Sequence, residues 1–449
     1  MQRRNNVRYE QFKTVALIAL IGLSLFFTYQ LWTFQPNIEA LEDSSNVQTE
    51  EMFGTERDPV ELIAPEQIVL HSSEGTYALV KNGSSYFSHV VEQLFAEGQL
   101  QSINRDYEDI SAVSGIELIF PDAVPKEFVL KQFGIEQEDF RFNLNAIDRM
   151  FVYVSPYDGG VNIQFASLEN ESLFTVGSAM DPEFLTDLLE SGEEADIEEA
   201  VIVKQKDDDN KLLQNRLYVS TEPQKVREKQ YELARLDIGQ INQRLFSGAS
   251  DVPRQNQLDG QNVYTDGSRI VTIDQRLQYL SYSYPFAADG IDTNNRHIIE
   301  TAAEFVNLNG GWTDDYKAIS WAARENSETV DFRMMIDGIP VFGRSNSDNK
   351  DRMKITVSRS GTQVIQFERP LFHLVGAPLQ DPEVEVPSGE AAAEALKAAT
   401  SVNWDDVTDI RLGYRADMEN NSNANFVPTW YYESQNTWKR VPFDEEYKQ

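Results

Sequence analysis

Residue types that could carry catalysis are few and scattered in this 449-residue chain. The histidines form neither an H-E-x-x-H nor an H-x-H arrangement, so the pattern typical of a zinc hydrolase is missing; they are His71, His89, His297 and His373. An isolated histidine is usually a surface residue or a satisfied core residue. There is no G-x-S-x-G, and the S-x-x-K from Ser347 to Lys350 lies in a polar turn instead of at a helix start. We therefore predict no active site and no enzyme.

Carboxylates are abundant, but their placement is typical of solvated surface. Glutamates 193, 194, 198 and 199 and aspartates 207–209 fall in turns and on polar faces. The oxygen-rich run that begins at Asp417 has Ser422 where an EF-hand loop needs glycine and Pro428 where it needs glutamate. The chain contains no cysteine, so neither a disulfide nor a thiolate metal site can form. We predict no metal and no cofactor.

Binding surfaces are the remaining candidates. An aromatic cluster near the C-terminus, Trp430, Tyr431, Tyr432 and Trp438, either lines a groove for a peptide or sugar or forms core on paired strands, and we favour core. The sequence has neither a P-loop nor a dinucleotide fingerprint. A net charge of −34 opposes nucleic-acid binding.

One segment predicts a membrane location. Residues 14–38 carry no charge, and Val15 to Trp32 is long enough to cross a hydrocarbon core. We predict a cytoplasmic tail at 1–13, a transmembrane helix at 14–34 that is not cleaved, and the bulk of the chain outside the cell. The basic residues that set this topology are Arg3, Arg4, Arg8 and Lys13, and the aromatic residues expected at the membrane interface are Tyr29, Trp32 and Phe34.

The remainder predicts an α+β architecture of antiparallel sheets with packed helices. An acidic linker at 35–62 precedes an N-terminal domain at 63–221, a central domain at 222–380 and a small C-terminal domain at 381–449. Capping residues and apolar spacing predict helices from Ser84 or Ser85 to Ala96, from Pro182 to Leu189, from Asn294 to Asn307 and after Ser388. The region from Pro223 to Phe246 is predicted as a connecting helix that breaks near Gly239.

The second half predicts a degenerate repeat. A helix followed by antiparallel strands occurs at about 294–372 and again at 387–443. Each copy is expected to pack one helix on a curled sheet.

Two short strings carry a family resemblance. LWTFQPN at residues 31–37 and DGIPVFG at 337–343, with the basic tail, the single span and the acidic ectodomain, resemble the YycH family of WalRK regulators. The last two units also resemble PepSY-type and YycI-like modules. The resemblance implies an anchored accessory protein that adjusts the sensor histidine kinase WalK together with the membrane protein YycI, in Gram-positive cell-wall homeostasis.

The resemblance also implies that the transmembrane helix contacts the spans of the kinase. Helices associate in lipid through small residues, and those of this span are Ala16, Ala19, Gly22 and Ser24. The alternative function is an extracytoplasmic cell-wall or peptide-binding module of PepSY type that makes no kinase contact.

Overall fold

Two sheets dominate the computed structural model: the first is antiparallel, and the second is antiparallel except where Ile339–Gly343 pairs in parallel with Val407–Met418. The structure describes residues 20, 54–104, 113–135, 142–205, 216–247, 254–258, 261–276, 278–285, 296–324, 326–343, 351–418 and 422–443. The described residues from 54 onwards belong to one compact unit. The mixture of sheets and helices agrees with the predicted α+β class.

The first sheet has nine strands. They are β1 (Gln67–His71), β2 (Tyr77–Val80), β3 (Leu100–Asn104), β4 (Gly115–Pro125), β5 (Ala146–Val154), β6 (Val161–Ser167), β7 (Ser172–Ser178), β8 (Ile197–Lys204) and β9 (Leu217–Ser220). Their order is β3-β7-β6-β5-β4-β1-β2-β8-β9, and every neighbouring pair is antiparallel.

The second sheet has fourteen strands. The strands after β9 are β10 (Gln224–Arg227), β11 (Lys229–Arg235), β12 (Arg254–Leu258), β13 (Gln261–Thr265), β14 (Ile270–Asp274), β15 (Tyr279–Ser283), β16 (Tyr316–Arg324), β17 (Ser327–Ile336), β18 (Ile339–Gly343), β19 (Lys354–Ser360), β20 (Gln363–Pro370), β21 (Phe372–Gln380), β22 (Glu383–Val386), β23 (Val407–Met418), β24 (Asn423–Ser434) and β25 (Thr437–Arg440). The main order is β12-β13-β14-β15-β20-β19-β17-β18-β23-β24-β11-β21, with β16 beside β17 and β25 beside β24. Strands β10 and β22 form a separate two-stranded ribbon.

Four of the six helices described begin where a serine or aspartate side chain caps them. The six helices are α1 (Ser85–Glu97), α2 (Lys126–Gln132), α3 (Pro182–Glu190), α4 (Ile238–Leu245), α5 (Ile298–Leu308) and α6 (Gly389–Ala398). Ser84 accepts a hydrogen bond from the Phe87 amide, Asp181 from Glu183 and Ser388 from Ala391. These caps confirm the predicted starts of α1, α3 and α6, and α5 begins four residues later than predicted.

The predicted connecting helix at 223–246 is wrong over most of its length. Residues 224–235 form β10 and β11, and a helix begins only at Ile238, where Asp237 caps it. Strand β11 pairs with β24 on one side and β21 on the other. Pairing with strands distant in sequence therefore overrides the local helical spacing.

The apolar core is continuous through both sheets. One cluster joins Val90 of α1 and Leu118 of β4 with Ile299 of α5 and Phe332 of β17. A second cluster packs α6 on β9 and β24, with Leu396 and Trp430 at its centre.

Three members of the aromatic cluster are core, as predicted, and the fourth, Trp438, is half-buried. Trp430, Tyr431 and Tyr432 are all buried, because β24 is covered on both faces. Tyr431 stacks on Phe342 with ring centroids 4.0 Å apart, on the face opposite Trp430.

Two loops from different sheets meet at glycines. The turn at Asp337 and Gly338, between β17 and β18, lies against Gly83, which follows β2. Lys229, at the start of β11, is buried and forms an ion pair with Asp337.

The predicted membrane span falls outside the described residues, except for Leu20, which is helical and exposed. Within the described part of the chain, no helix combines the length and apolar character needed to cross a bilayer.

Candidate functional site

A buried ionic cluster lies on one face of the first sheet. We call it the Glu117 cluster: His71, Glu117, Arg149 and Tyr218. Arg149 Nη1 lies 2.7 Å from Glu117 Oε1, and His71 Nε2 lies 2.8 Å from Glu117 Oε2. The Tyr218 hydroxyl donates to the same Oε2 at 3.1 Å. One carboxylate therefore accepts three hydrogen bonds.

Strand register brings these side chains together. His71 pairs with Gly115 and Ile119 pairs with Arg149, so both polar residues are diagonal neighbours of Glu117 on one face. Tyr218 lies on β9, four places from β4 in the strand order. Its contact with Glu117 requires the sheet to curl, and the curl helps to remove the cluster from water.

The ion pair keeps Glu117 charged despite its burial. Burial alone would raise the pKa of Glu117, but the charge of Arg149 and the hydrogen bonds from His71 and Arg149 lower the pKa to about 2. Arg149 also donates from Nη2 to the carbonyl oxygen of Arg216 at 2.8 Å. Burial and the nearby Glu117 charge raise the pKa of Tyr218, which stays a neutral hydroxyl donor.

The ionised carboxylate fixes the orientation of His71. A carboxylate can only accept, so His71 Nε2 carries the proton that it donates to Glu117. The Tyr77 ring lies edge-on to the imidazole at 5.1 Å, and the Phe151 ring is tilted at 4.8 Å. The second nitrogen, Nδ1, receives no hydrogen bond from any residue that the structure describes, and in neutral imidazole it is an acceptor.

His71 lines a cleft of about 1260 Å³. Its walls are the β1–β2 hairpin, the two residues before β4, the end of β5, helix α3 and strand β8. The apolar part of the lining includes Leu70, Tyr77, Val154 and Leu189. A cleft that mixes apolar surface with a few polar groups is the usual form of a binding site.

The polar lining is acidic. Four carboxylates face the cleft, Glu183, Asp187 and Glu190 from α3 and Glu199 from β8. Among the described lining residues there is neither lysine nor arginine. The site therefore favours ligands with positive charge and N–H donors.

The residues predicted to set the membrane topology, to lie at the interface or to contact other helices all fall outside the described part of the chain. They are Arg3, Arg4, Arg8, Lys13, Ala16, Ala19, Gly22, Ser24, Tyr29, Trp32 and Phe34. Their roles stay predictions.

The other sequence candidates do not assemble into a reactive site. His89 is exposed, and His297 caps α5. Burial and the nearby Arg359 lower the pKa of His297 to about 4. Ser347 to Lys350 lies outside the described residues, and Asp417 forms an ion pair with Arg415 at 2.7 Å. Within the described ranges no group of three potential metal ligands occurs.

Glu117 and Arg149 were missed by the sequence reasoning. Glu117 lies between Ile116 and Leu118 on β4, whereas Arg149 follows Asp148 and precedes an apolar run on β5. A charged residue flanked by apolar neighbours on a strand is a usable signal for a buried ion pair, because an unpaired charge there is costly.

Comparison with known proteins shows which family the chain belongs to. The sequence model described as "YycH protein, N-terminal domain" matches residues 10–188, and that described as "YycH protein, C-terminal domain" matches 214–448. The chain belongs to the YycH family. The resemblance carried by LWTFQPN and DGIPVFG is thus confirmed, and the second string forms the turn before β18 and β18 itself.

A curated member of the YycH family is similar along nearly the whole chain. The "Two-component system WalR/WalK regulatory protein YycH" of Bacillus subtilis (strain 168) is 20% identical over 432 residues, which cover 91% of this chain and 90% of that protein. The crystal structure of YycH from Bacillus subtilis has a TM-score of 0.68 at 16% identity. It covers 87% of this chain and 99% of that chain, so the fold is shared. The relative is a regulatory protein of a two-component system.

Proposed function

We propose that this protein is a membrane-anchored extracytoplasmic regulator of a WalK-like sensor histidine kinase. The observation that carries the proposal is the match along 91% of the chain to a protein named as a WalR/WalK regulator. The proposed activity is protein–protein contact without catalysis. The process that we propose it regulates is cell-wall homeostasis, which the WalRK system controls.

The proposed anchor is the helix at 14–34, with the N-terminus inside the cell. The charge-free run and the basic residues before it support this topology. We further propose that residues 63–221, 222–380 and 381–449 act as three extracytoplasmic domains, the last two being PepSY-like.

Regulation requires a difference in affinity between kinase states. A bound protein changes kinase output only if it binds one signalling state better than the other. We propose that Ala16, Ala19, Gly22 and Ser24 provide close helix contact in the membrane, that the ectodomain supplies the other contacts, and that a YycI-like protein is a second partner.

Exchange of the membrane helix tests the proposed contact. Residues Val15 to Trp32 are replaced by an unrelated apolar helix of equal length, and both versions of the chain are purified from membranes with a tagged WalK-like kinase. We expect the exchange to reduce kinase recovery, because the small-residue surface is lost. A matched control replaces Leu17 and Leu20 by isoleucine, which keeps the small residues.

Equal kinase recovery with both helices would remove the span from the mechanism. Recovery of the chain with cell-wall material and not with the kinase would favour the PepSY-type binding module. The membrane fraction of each variant is measured in parallel to show that anchoring is retained.

A further inference from the structure

We propose that the cleft beside His71 binds a segment of a partner protein that carries lysine or arginine side chains. This inference rests on the proposed function only for the identity of the partner. The shape and charge of the cleft support the binding itself.

The size of the cleft favours a chain segment over a small metabolite. Its volume of about 1260 Å³ exceeds the roughly 300–1,000 Å³ typical of small-molecule pockets. The lining extends from the β1–β2 hairpin to helix α3 and strand β8, so an extended segment can contact several elements at once.

The charge of the cleft selects a basic segment. Asp187 and Glu190 are exposed on α3, and Glu199 is exposed on β8. Since the described lining holds no lysine or arginine, these carboxylates have no cation beside them in the cleft wall. A lysine or arginine side chain from a partner supplies the missing charge.

His71 gives the site a second and independent recognition group. Only 9% of its surface is exposed, and its Nε2 is committed to Glu117. Nδ1, which no described residue contacts by a hydrogen bond, can accept one from a lysine ammonium or an arginine guanidinium. Ring contacts with Tyr77 and Phe151 hold the imidazole in place, so little entropy is lost on binding.

Peptide binding to the full-length chain in non-ionic detergent tests the proposal. A dye-labelled hexalysine peptide is titrated by fluorescence anisotropy at about 0.15 M salt, which screens diffuse attraction to the acidic surface. Hexaglutamate is the charge-reversed control. We expect saturable binding of one hexalysine per chain and no binding of hexaglutamate.

Two variants of α3 locate the binding. Asp187→Asn with Glu190→Gln removes two cleft charges, and Thr186→Trp fills the cleft without changing its charge. We expect each to weaken hexalysine binding about tenfold. The matched control, Glu390→Gln with Glu394→Gln, removes two exposed charges from α6, and its affinity should stay within about twofold of the wild type.

An equal loss in the α6 control would overturn the proposal, because binding would then follow overall charge. Unchanged affinity in both α3 variants would also overturn it. Near-ultraviolet circular dichroism checks that each variant is folded. No kinase is present, so these outcomes are independent of the co-purification experiment.

Discussion

At the scale of single residues, the Glu117 cluster explains how a charged group persists inside an apolar sheet. A buried ion pair is rarely more stable than apolar residues of the same volume, but losing one partner leaves an uncompensated charge. Glu117 has three donors and is almost completely buried. Its main structural effect is to fix the imidazole of His71 at the cleft.

Removal of one charge of this pair should be more harmful than removal of both. We expect Arg149→Met to reduce the free energy of unfolding by about 3–5 kcal/mol, because Glu117 loses its counter-charge. The double variant Arg149→Met with Glu117→Leu should recover part of this loss. Urea denaturation midpoints measure the effect, and a double variant less stable than Arg149→Met would contradict this view of the cluster.

The lowered pKa of Glu117 predicts a pH dependence. The folded value is about 2, against an ordinary value of 4.5, so the stabilisation is fully present above about pH 4.5. It amounts to about 3 kcal/mol and is lost as the pH falls toward 2. Glu117→Gln should therefore be less stable than the wild type at pH 6, with a difference that shrinks toward pH 3. A difference in melting temperature that is constant over this range would contradict the assignment.

Sequence could predict part of this site and not the rest. His71 was expected to be a surface residue or a satisfied core residue; it is buried, and its Nε2 is bonded to Glu117. Tyr218 could not have been assigned to the cluster, because its contact depends on the curl of a sheet whose β9 and β4 are far apart in strand order.

At the scale of elements, local signals predicted α1, α3, α5 and α6 but not α2, and long-range pairing overrode the helix predicted at 223–246. Caps at Ser84, Asp181 and Ser388 marked helix starts because a side-chain oxygen satisfies a free amide. Residues 224–235 became strands because β22, β21 and β24 were available to pair with them. No local pattern contains that information.

The contact between Gly83 and the β17–β18 turn should be intolerant of a side chain. A methyl group at Gly83 would overlap the carbonyl of Asp337, whereas one at Gly159 would meet nothing within 4 Å. Both glycines have similar positive φ angles, 75° and 73°, so Gly159→Ala controls for backbone strain of about 1–2 kcal/mol. We expect Gly83→Ala to lower the denaturation midpoint clearly more than Gly159→Ala. Equal effects would contradict the close packing of these loops.

Glu66 joins the start of β1 to strands β23 and β24. It lies 2.5 Å from Arg411, which also binds Asp409. Burial, then the charges of Asp409 and Glu433, raise the pKa of Glu66 to about 8, although Arg411 opposes the rise. An unfolded glutamate loses its proton near pH 4.5, so this group makes the fold less stable as the pH rises from about 4.5 to 8.

Glu66→Gln should remove that pH dependence. We expect the variant to gain stability relative to the wild type between pH 5 and pH 8, as read from melting temperatures. A relative loss over the same range would show that Glu66 is held ionised by Arg411.

At the scale of the whole molecule, family membership and fold are established, and the membrane anchor remains a prediction from sequence. The two sheets share a continuous core, so they pack as one folded body. The charge-free run from Thr14 is the observation that predicts a membrane location for this body.

Reconstitution with the kinase tests the central claim most directly. A WalK-like kinase is placed in liposomes alone, with the full-length chain, or with the chain whose Val15–Trp32 helix is replaced, and the initial rate of autophosphorylation from ATP is measured. We expect the full-length chain to change this rate about fivefold or more, which is the usual scale of coupling between sites, and the exchanged helix to weaken the change. Identical rates with and without the full-length chain would contradict a regulatory role.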